Sequence, residues 1–274
     1  MKLIYYYFTQ FVVGLLVCAI VLLCLIGFNG YDMLNTARLR IYLTMRGFSY
    51  NYVKIYDDGT ILLNSDYCRV SNISCLEGLP IRELNLSVTD VKHLWPLQSV
   101  GTLEHLGIAM SQVEDISILS NLHNLKFLSI RVTKVSDLTP LSNLPLEALY
   151  AGHSAVTNIA PVATPHLKIL SITGCDVKDL SPLTNAVNLY DLMIDLDRFP
   201  KNGEQIQILR NMKSIRDINH MASESIWEEY ETQTGEPSGG TIRGESRSAP
   251  KIENKDFKDE IRVKPKKGLN QGQT

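Results

Sequence analysis

From Ile81 onward the apolar residues recur in a fixed cycle. Units begin at Ile81, Leu103, Leu125, Leu146, Leu167 and Leu189, separated by 22, 22, 21, 21 and 22 residues. Places 1, 4, 6, 11, 14 and 17 are apolar in each of the first five units. Places 4 and 6 alternate as in a strand, and places 14 and 17 are spaced as in a short helical turn. Each unit therefore reads as one circuit of a coil, strand on one side and tight turn on the other. One circuit cannot enclose its own apolar ring, so the units must stack.

Carrying the register back by 21 positions puts Leu63, Cys68, Val70, Ile73, Leu76 and Leu79 on places 4, 9, 11, 14, 17 and 20. Residues 60–80 thus form a degenerate first unit of a seven-turn stack, roughly 30 Å long at ~4.8 Å per strand. Asp115, Asp137, Asn158 and Asp179 occupy place 13, and Pro96, Pro140, Pro161 and Pro182 occupy place 16. A short acceptor before a φ-restricted proline predicts a capped 3₁₀-like turn.

The ends of an open stack need cover. Tyr52 to Leu63 reads as a hairpin folded at Asp57-Asp58-Gly59. Before it, Leu34, Ala37, Ile41 and Met45 share helical spacing, which predicts an amphipathic helix over 32–46 stopped by Gly47. Residues 203–218 read as a helix and a last edge strand. From Ala222 the chain turns polar and Gly/Ser/Lys/Glu-rich, the composition of a disordered tail with acidic and basic runs.

The L-x-x-L-x-I core and L-x-P-L turn, as in LKFLSIRVTKVSDLTPLSNLP, resemble the leucine-rich repeats of internalin-like bacterial proteins. The resemblance spans residues 60–197. It implies an α/β solenoid with a parallel β-sheet on its concave face and short 3₁₀ or helical turns on its convex face. The chain departs from that family at place 9, where an Asn ladder is typical and Thr89, Ser111, Thr133, Ser154, Cys175 and Asp197 stand instead. These small polar groups are expected to bond inward to neighbouring backbone amides.

Residues 3–31 contain no Asp, Glu, Lys, Arg or His, and Phe11 to Phe28 is 18 residues of nearly pure hydrocarbon. That length predicts a membrane helix through residues 3–28, held as an uncleaved signal-anchor because no small-x-small site follows. The chain then divides into an anchor (1–31), a juxtamembrane helix and hairpin cap (32–59), a solenoid with its C-terminal cap (60–221) and a polar tail (222–274). Arg38, Arg40 and Arg46 after the run would favour a cytoplasmic solenoid. Long domains cross largely regardless of charge, which favours the exported side, periplasmic or extracellular.

Charge narrows the function classes little: 27 Lys and Arg against 29 Asp and Glu give a net charge of −2, with no pointer to nucleic acid. No metalloprotease, nucleophile-elbow, phosphate-loop, dinucleotide or paired C-x-x-C motif occurs, so no enzyme activity, cofactor, metal or small-molecule substrate is expected. Cys68 at place 9 and Cys75 at place 16 lie on opposite sides of the coil, too far apart for a disulfide. Cys175 reads as an interior filler.

What remains is surface. Places 2, 3, 5 and 7 line the concave face. Place 2 runs Arg82, Glu104, Lys126, Glu147, Lys168, Tyr190, an alternating charge ladder of structural rather than ligand-seeking type. Places 3 and 5 bring together His105, Phe127, Ala148 and Ile169 with Tyr150 and Met193. This predicts a solvent-facing apolar patch for a protein partner of unknown identity, with His105, Phe127, Tyr150, Ile169 and Met193 as contact residues. The alternative is an envelope or scaffold protein in which the solenoid serves as a spacer.

Overall fold

The structure is a computed structural model that describes residues 36–201 and 203–232. The membrane segment expected at residues 3–28 and the tail beyond 232 lie outside the described residues. Among the described residues no helix is long and apolar enough to cross a membrane.

Ten strands form one sheet in sequence order: β1 (Tyr52–Ile55), β2 (Ile61–Asn64), β3 (Ile81–Asn85), β4 (His105–Gly107), β5 (Phe127–Ser129), β6 (Ala148–Tyr150), β7 (Ile169–Ser171), β8 (Asp191–Met193), β9 (Asp217–Ile218) and β10 (Met221–Ala222). Strands β2 to β9 are parallel, and an antiparallel hairpin closes each end. Residues at the same place are register partners, so Leu84, Leu106, Leu128, Leu149, Leu170 and Leu192 form one line through the stack, each fully buried. Places 6, 11, 14 and 17 feed the same continuous core. Contact between identical places in successive units is what a 21- or 22-residue hydrophobic cycle secures.

After each strand the chain must bend from the sheet toward the convex side. The bend falls at place 8. Tyr67, Val88, Met110, Val132 and His153 adopt φ between 53° and 57°, and Gly174 adopts 75°. A left-handed backbone is unfavourable for these side chains, above all for β-branched valine. It persists because the amides of these residues extend the ladder beyond the strand: Val88 N donates to Ala109 O at 2.8 Å, Met110 N to Arg131 O at 2.8 Å and His153 N to Thr173 O at 2.7 Å.

At place 9 the Ser111 hydroxyl accepts the Val113 amide at 3.4 Å, as expected, but the shorter bonds run from hydroxyl to carbonyl. Thr89, Ser111 and Thr133 donate to the carbonyls of Leu86, Ile108 and Ile130 in their own turns, at 2.6, 2.7 and 2.7 Å. A hydroxyl has a single proton to donate, and these three direct it to their own turn, whereas Ser154 Oγ lies 3.5 Å from Cys175 Sγ in the next circuit. Cys175 is buried as expected, with its thiol 3.1 Å from Ala151 O. Cys68 and Cys75 carry no disulfide.

The convex turns follow the place-13 prediction. Asp115, Asp137, Asn158 and Asp179 accept the amides of Ser117, Thr139, Ala160 and Ser181 at 2.8, 2.8, 3.0 and 2.9 Å, and Asn72 does the same for Ser74 at 2.9 Å. These bonds start the 3₁₀ turns; the hydroxyl and then the amide of Thr139 and of Ser181 hold the carboxyls of Asp137 and Asp179 below the usual aspartate range, and the amide and then the hydroxyl of Ser117 do so for Asp115.

Both caps form, with corrections. Helix α1 (Thr36–Met45) buries Leu39 and Leu43, while Ile41 and Met45 from the expected stripe are 40% and 53% exposed. The helix is apolar on two sides, and the spacing rule selected the outer one. At the other end, α2 (Glu204–Asn211) buries Ile206 and Leu209 over the last turns. Strand β9 joins the parallel sheet, adding one strand to the seven-turn expectation, and β10 rather than β9 is the edge. Residues 223–232, expected within the disordered tail, form α3 (Ser223–Thr232), because Ile226 is buried and Trp227 packs on the core with Arg210 over its ring at 5.5 Å.

Candidate protein-binding face

Parallel pairing sets His105, Phe127, Ala148, Ile169 and Asp191 side by side across β4 to β8, and sets Tyr150 between Ser129 and Ser171. The rings touch in sequence. His105 meets Phe127 edge-on with centroids 5.8 Å apart, and Phe127 meets Tyr150 at 5.3 Å. Both spacings lie in the range where aromatic pairs attract beyond simple burial. Ile169 and Met193 continue the patch as half-buried side chains on β7 and β8.

Tyr150 does not face solvent as expected. It is 8% exposed, as is Ala148, and β6 is buried along its whole length. Ser129 and Ser171 flank it in the neighbouring strands. Tyr150 therefore supports Phe127 from behind, and the accessible apolar surface belongs to His105, Phe127, Ile169 and Met193.

The N-terminal border of the patch contains two residues that the sequence reading did not single out. Tyr56 donates its hydroxyl to Glu83 at 2.5 Å, and the other Glu83 oxygen lies 3.9 Å from His105 Nδ1. Desolvation pushes the Glu83 carboxyl up, but the nearby His105 ring and the Tyr56 hydrogen bond outweigh it and leave the group below the ordinary glutamate range. Burial, then the bond to Glu83, raises the Tyr56 hydroxyl. Lys54 and Arg82 sit over the Tyr56 ring at 4.7 and 5.2 Å. The signal was present: Tyr52, Lys54 and Tyr56 share one face by strand alternation, and Glu83 holds place 3.

The C-terminal border is a carboxylate in a different condition. Asp191 stands in register with Asp217, and one of its oxygens is buried without a hydrogen-bond partner. Desolvation raises its carboxyl above the usual aspartate range, opposed by His220 and reinforced by Asp217.

Along the flank, the charge ladder forms in pairs. Arg82 Nε lies 3.5 Å from Glu104, Lys126 Nζ 3.0 Å from the same residue, and Lys168 Nζ 2.7 Å from Glu147. Half-exposed pairs of this type contribute at most about 1 kcal/mol each. They neutralise one another and leave the apolar row as the distinctive feature of the face. Among the described residues no group of three metal-ligating side chains converges.

Strand register, left-handed bends and capped 3₁₀ turns together decide the architecture. The described chain is a leucine-rich-repeat solenoid. No protein-family model matches the sequence, and no curated protein matches it. Among solved structures, internalin C2 of Listeria monocytogenes is 34% identical over 47% of this chain and 60% of its own, with a TM-score of 0.44. Internalin F of the same organism is 26% identical over 58% of this chain and 46% of its own, with a TM-score of 0.49. A leucine-rich-repeat protein of Leptospira interrogans is 18% identical over 62% of this chain and 46% of its own, with a TM-score of 0.47. The solenoid chain thus spans 60% or less of the length of each.

Proposed function

We propose that this protein is a non-enzymatic recognition module, anchored in a membrane by residues 3–28, that binds a protein partner through the concave face of its solenoid. The observation that carries the reading is the joined row of His105, Phe127 and Tyr150, with ring centroids 5.8 and 5.3 Å apart, continued by Ile169 and Met193. An apolar centre rich in aromatic side chains, inside a rim of paired charges, is the composition of a protein interface core. Burial of Tyr150 strengthens the case, because it fixes the Phe127 ring before a partner arrives.

The 18-residue apolar run supports the anchor. The size of the domain beyond it supports the exported side of that membrane.

The test is affinity purification of the full chain from its native membranes, comparing wild type with Phe127→Ser and Ile169→Ser. A partner that co-purifies with wild type and is lost from both variants, at unchanged thermal unfolding, is the expected result. Recovery that is the same for all three chains overturns the concave-face reading and favours the spacer.

A further inference from the structure

The outer side of α1 carries Ile41 and Met45, 40% and 53% exposed, four residues apart on one face opposite the buried Leu39 and Leu43. Arg38 shares that face and Arg40 flanks it, both exposed. Arg46 follows at the helix end, stacked over Tyr42 at 5.4 Å. Beside it, a cavity of about 300 Å³ is lined by Arg46, Arg69, Ser71 and Ser74. Among the described residues none of these four arginines pairs with a carboxylate. No Asp or Glu occurs anywhere between Met33 and Tyr56.

An exposed apolar pair bordered by uncompensated arginines suits neither water nor a hydrocarbon core. It suits the boundary between them, where apolar side chains enter the acyl region and guanidinium groups meet phosphate. Position along the chain supplies the same answer. Seven residues separate Phe28, the end of the apolar run, from Thr36, the start of α1. Even fully extended, so short a tether spans no more than about 29 Å.

We propose that α1, with Arg38, Arg40, Arg46 and Arg69, is a docking surface for anionic phospholipid, seating the solenoid against the bilayer that holds the anchor. The proposal rests on the anchorage inferred above. Its consequence is a fixed stance: the N-terminal hairpin faces lipid, and the concave face stands off the membrane on the β2-to-β9 stack.

The experiment uses the full chain with Cys18, Cys24, Cys68 and Cys75 changed to alanine, leaving the buried Cys175, and a bimane label placed by Met45→Cys or Val21→Cys. Each labelled chain is reconstituted into phosphatidylcholine vesicles with and without phosphatidylglycerol, both doped with brominated lipid. The expected result is bromine quenching at position 45 only when phosphatidylglycerol is present. Arg38→Gln with Arg40→Gln should cut the bound-to-free ratio of that helix by roughly 25-fold, about fivefold for each arginine. An unquenched label at 45 in both vesicles, or quenching indifferent to phosphatidylglycerol, overturns the proposal. So does loss of the quench on adding millimolar inorganic phosphate at constant ionic strength, which would assign the arginines to a soluble anion. The label at 21 is read independently: quenching there with none at 45 leaves the anchor standing and removes the docking surface, whereas no quenching at 21 refutes the anchor alone.

Discussion

Gly174 is the position where one added methyl group tests the solenoid bend most sharply. It occupies place 8 at φ 75°, and a Cβ built there would stand 2.3 Å from Nδ1 and 2.8 Å from Cγ of His153, the place-8 residue one circuit earlier. Two costs follow for Gly174→Ala. The left-handed backbone costs an L-residue about 1 kcal/mol. The overlap forces the exposed His153 ring to another rotamer, adding about 1 kcal/mol. The sum of about 2 kcal/mol should lower Tm by roughly 4–8 °C for a domain of this size. Place 8 tolerates the backbone cost elsewhere, since Val88, Met110 and Val132 all accept it. The crowding is the part specific to Gly174, and His153→Ala should remove it. A double-mutant cycle by calorimetry should return about 1 kcal/mol of coupling between the two positions. A neutral Gly174→Ala, or an additive cycle, would refute the stacked-bend geometry.

Four further outcomes follow from the same structure. Leu128→Ala opens a void at the centre of the leucine line and should cost about 3–4 kcal/mol by urea unfolding, with loss of a single cooperative transition as the stack divides there. Asp137→Ala removes the acceptor for Thr139 N and should lower Tm, whereas Asp137→Asn should retain the bond. Since Asp115, Asp137 and Asp179 have depressed carboxyl values, their stabilisation is complete above the unfolded aspartate value and is lost as pH falls through the folded ones, so wild type should lose stability below about pH 4. Asp191 has the opposite sign: its raised carboxyl disfavours the charged folded state above that value, so Asp191→Asn should raise Tm at pH 7 and lose this advantage in acid.

The solenoid was legible because its determinant is repetition. A line such as Leu84–Leu106–Leu128 appears in the sequence as equal spacing, and each place implies a side of the coil. The place-13 acceptors were legible for the same reason, since Asp115 and its equivalents act within two residues of themselves. The misreadings all concern depth or contact between circuits. Strand alternation puts Tyr150 on the correct face, yet its depth is set by packing that alternation does not encode. Helix α1 has apolar residues at helical spacing on both sides, and only the packing of Leu39 and Leu43 decides which enters the core. Ile226 and Trp227 lie in a polar stretch whose composition hides two anchoring side chains. Thr89, Ser111 and Thr133 donate within their own turns, whereas Ser154 meets Cys175 of the next circuit at 3.5 Å, a choice that residue type alone does not decide. Within the candidate face, register brought His105, Phe127, Ile169 and Met193 together as expected, while the Tyr56–Glu83 border came from pairing the cap hairpin with the first full repeat.

The central claim is that the concave row, and no other side of the solenoid, meets a partner. Site-specific photo-crosslinking in intact cells addresses it directly, with the photoreactive residue placed at His105 or Met193 on the concave face and at Ser136 or Thr157 on the convex side. The account predicts a discrete crosslinked polypeptide from the concave positions, none from the convex ones, and its disappearance when Phe127→Ser is added. Equal crosslinking from both sides, or a concave product indifferent to Phe127→Ser, would contradict it.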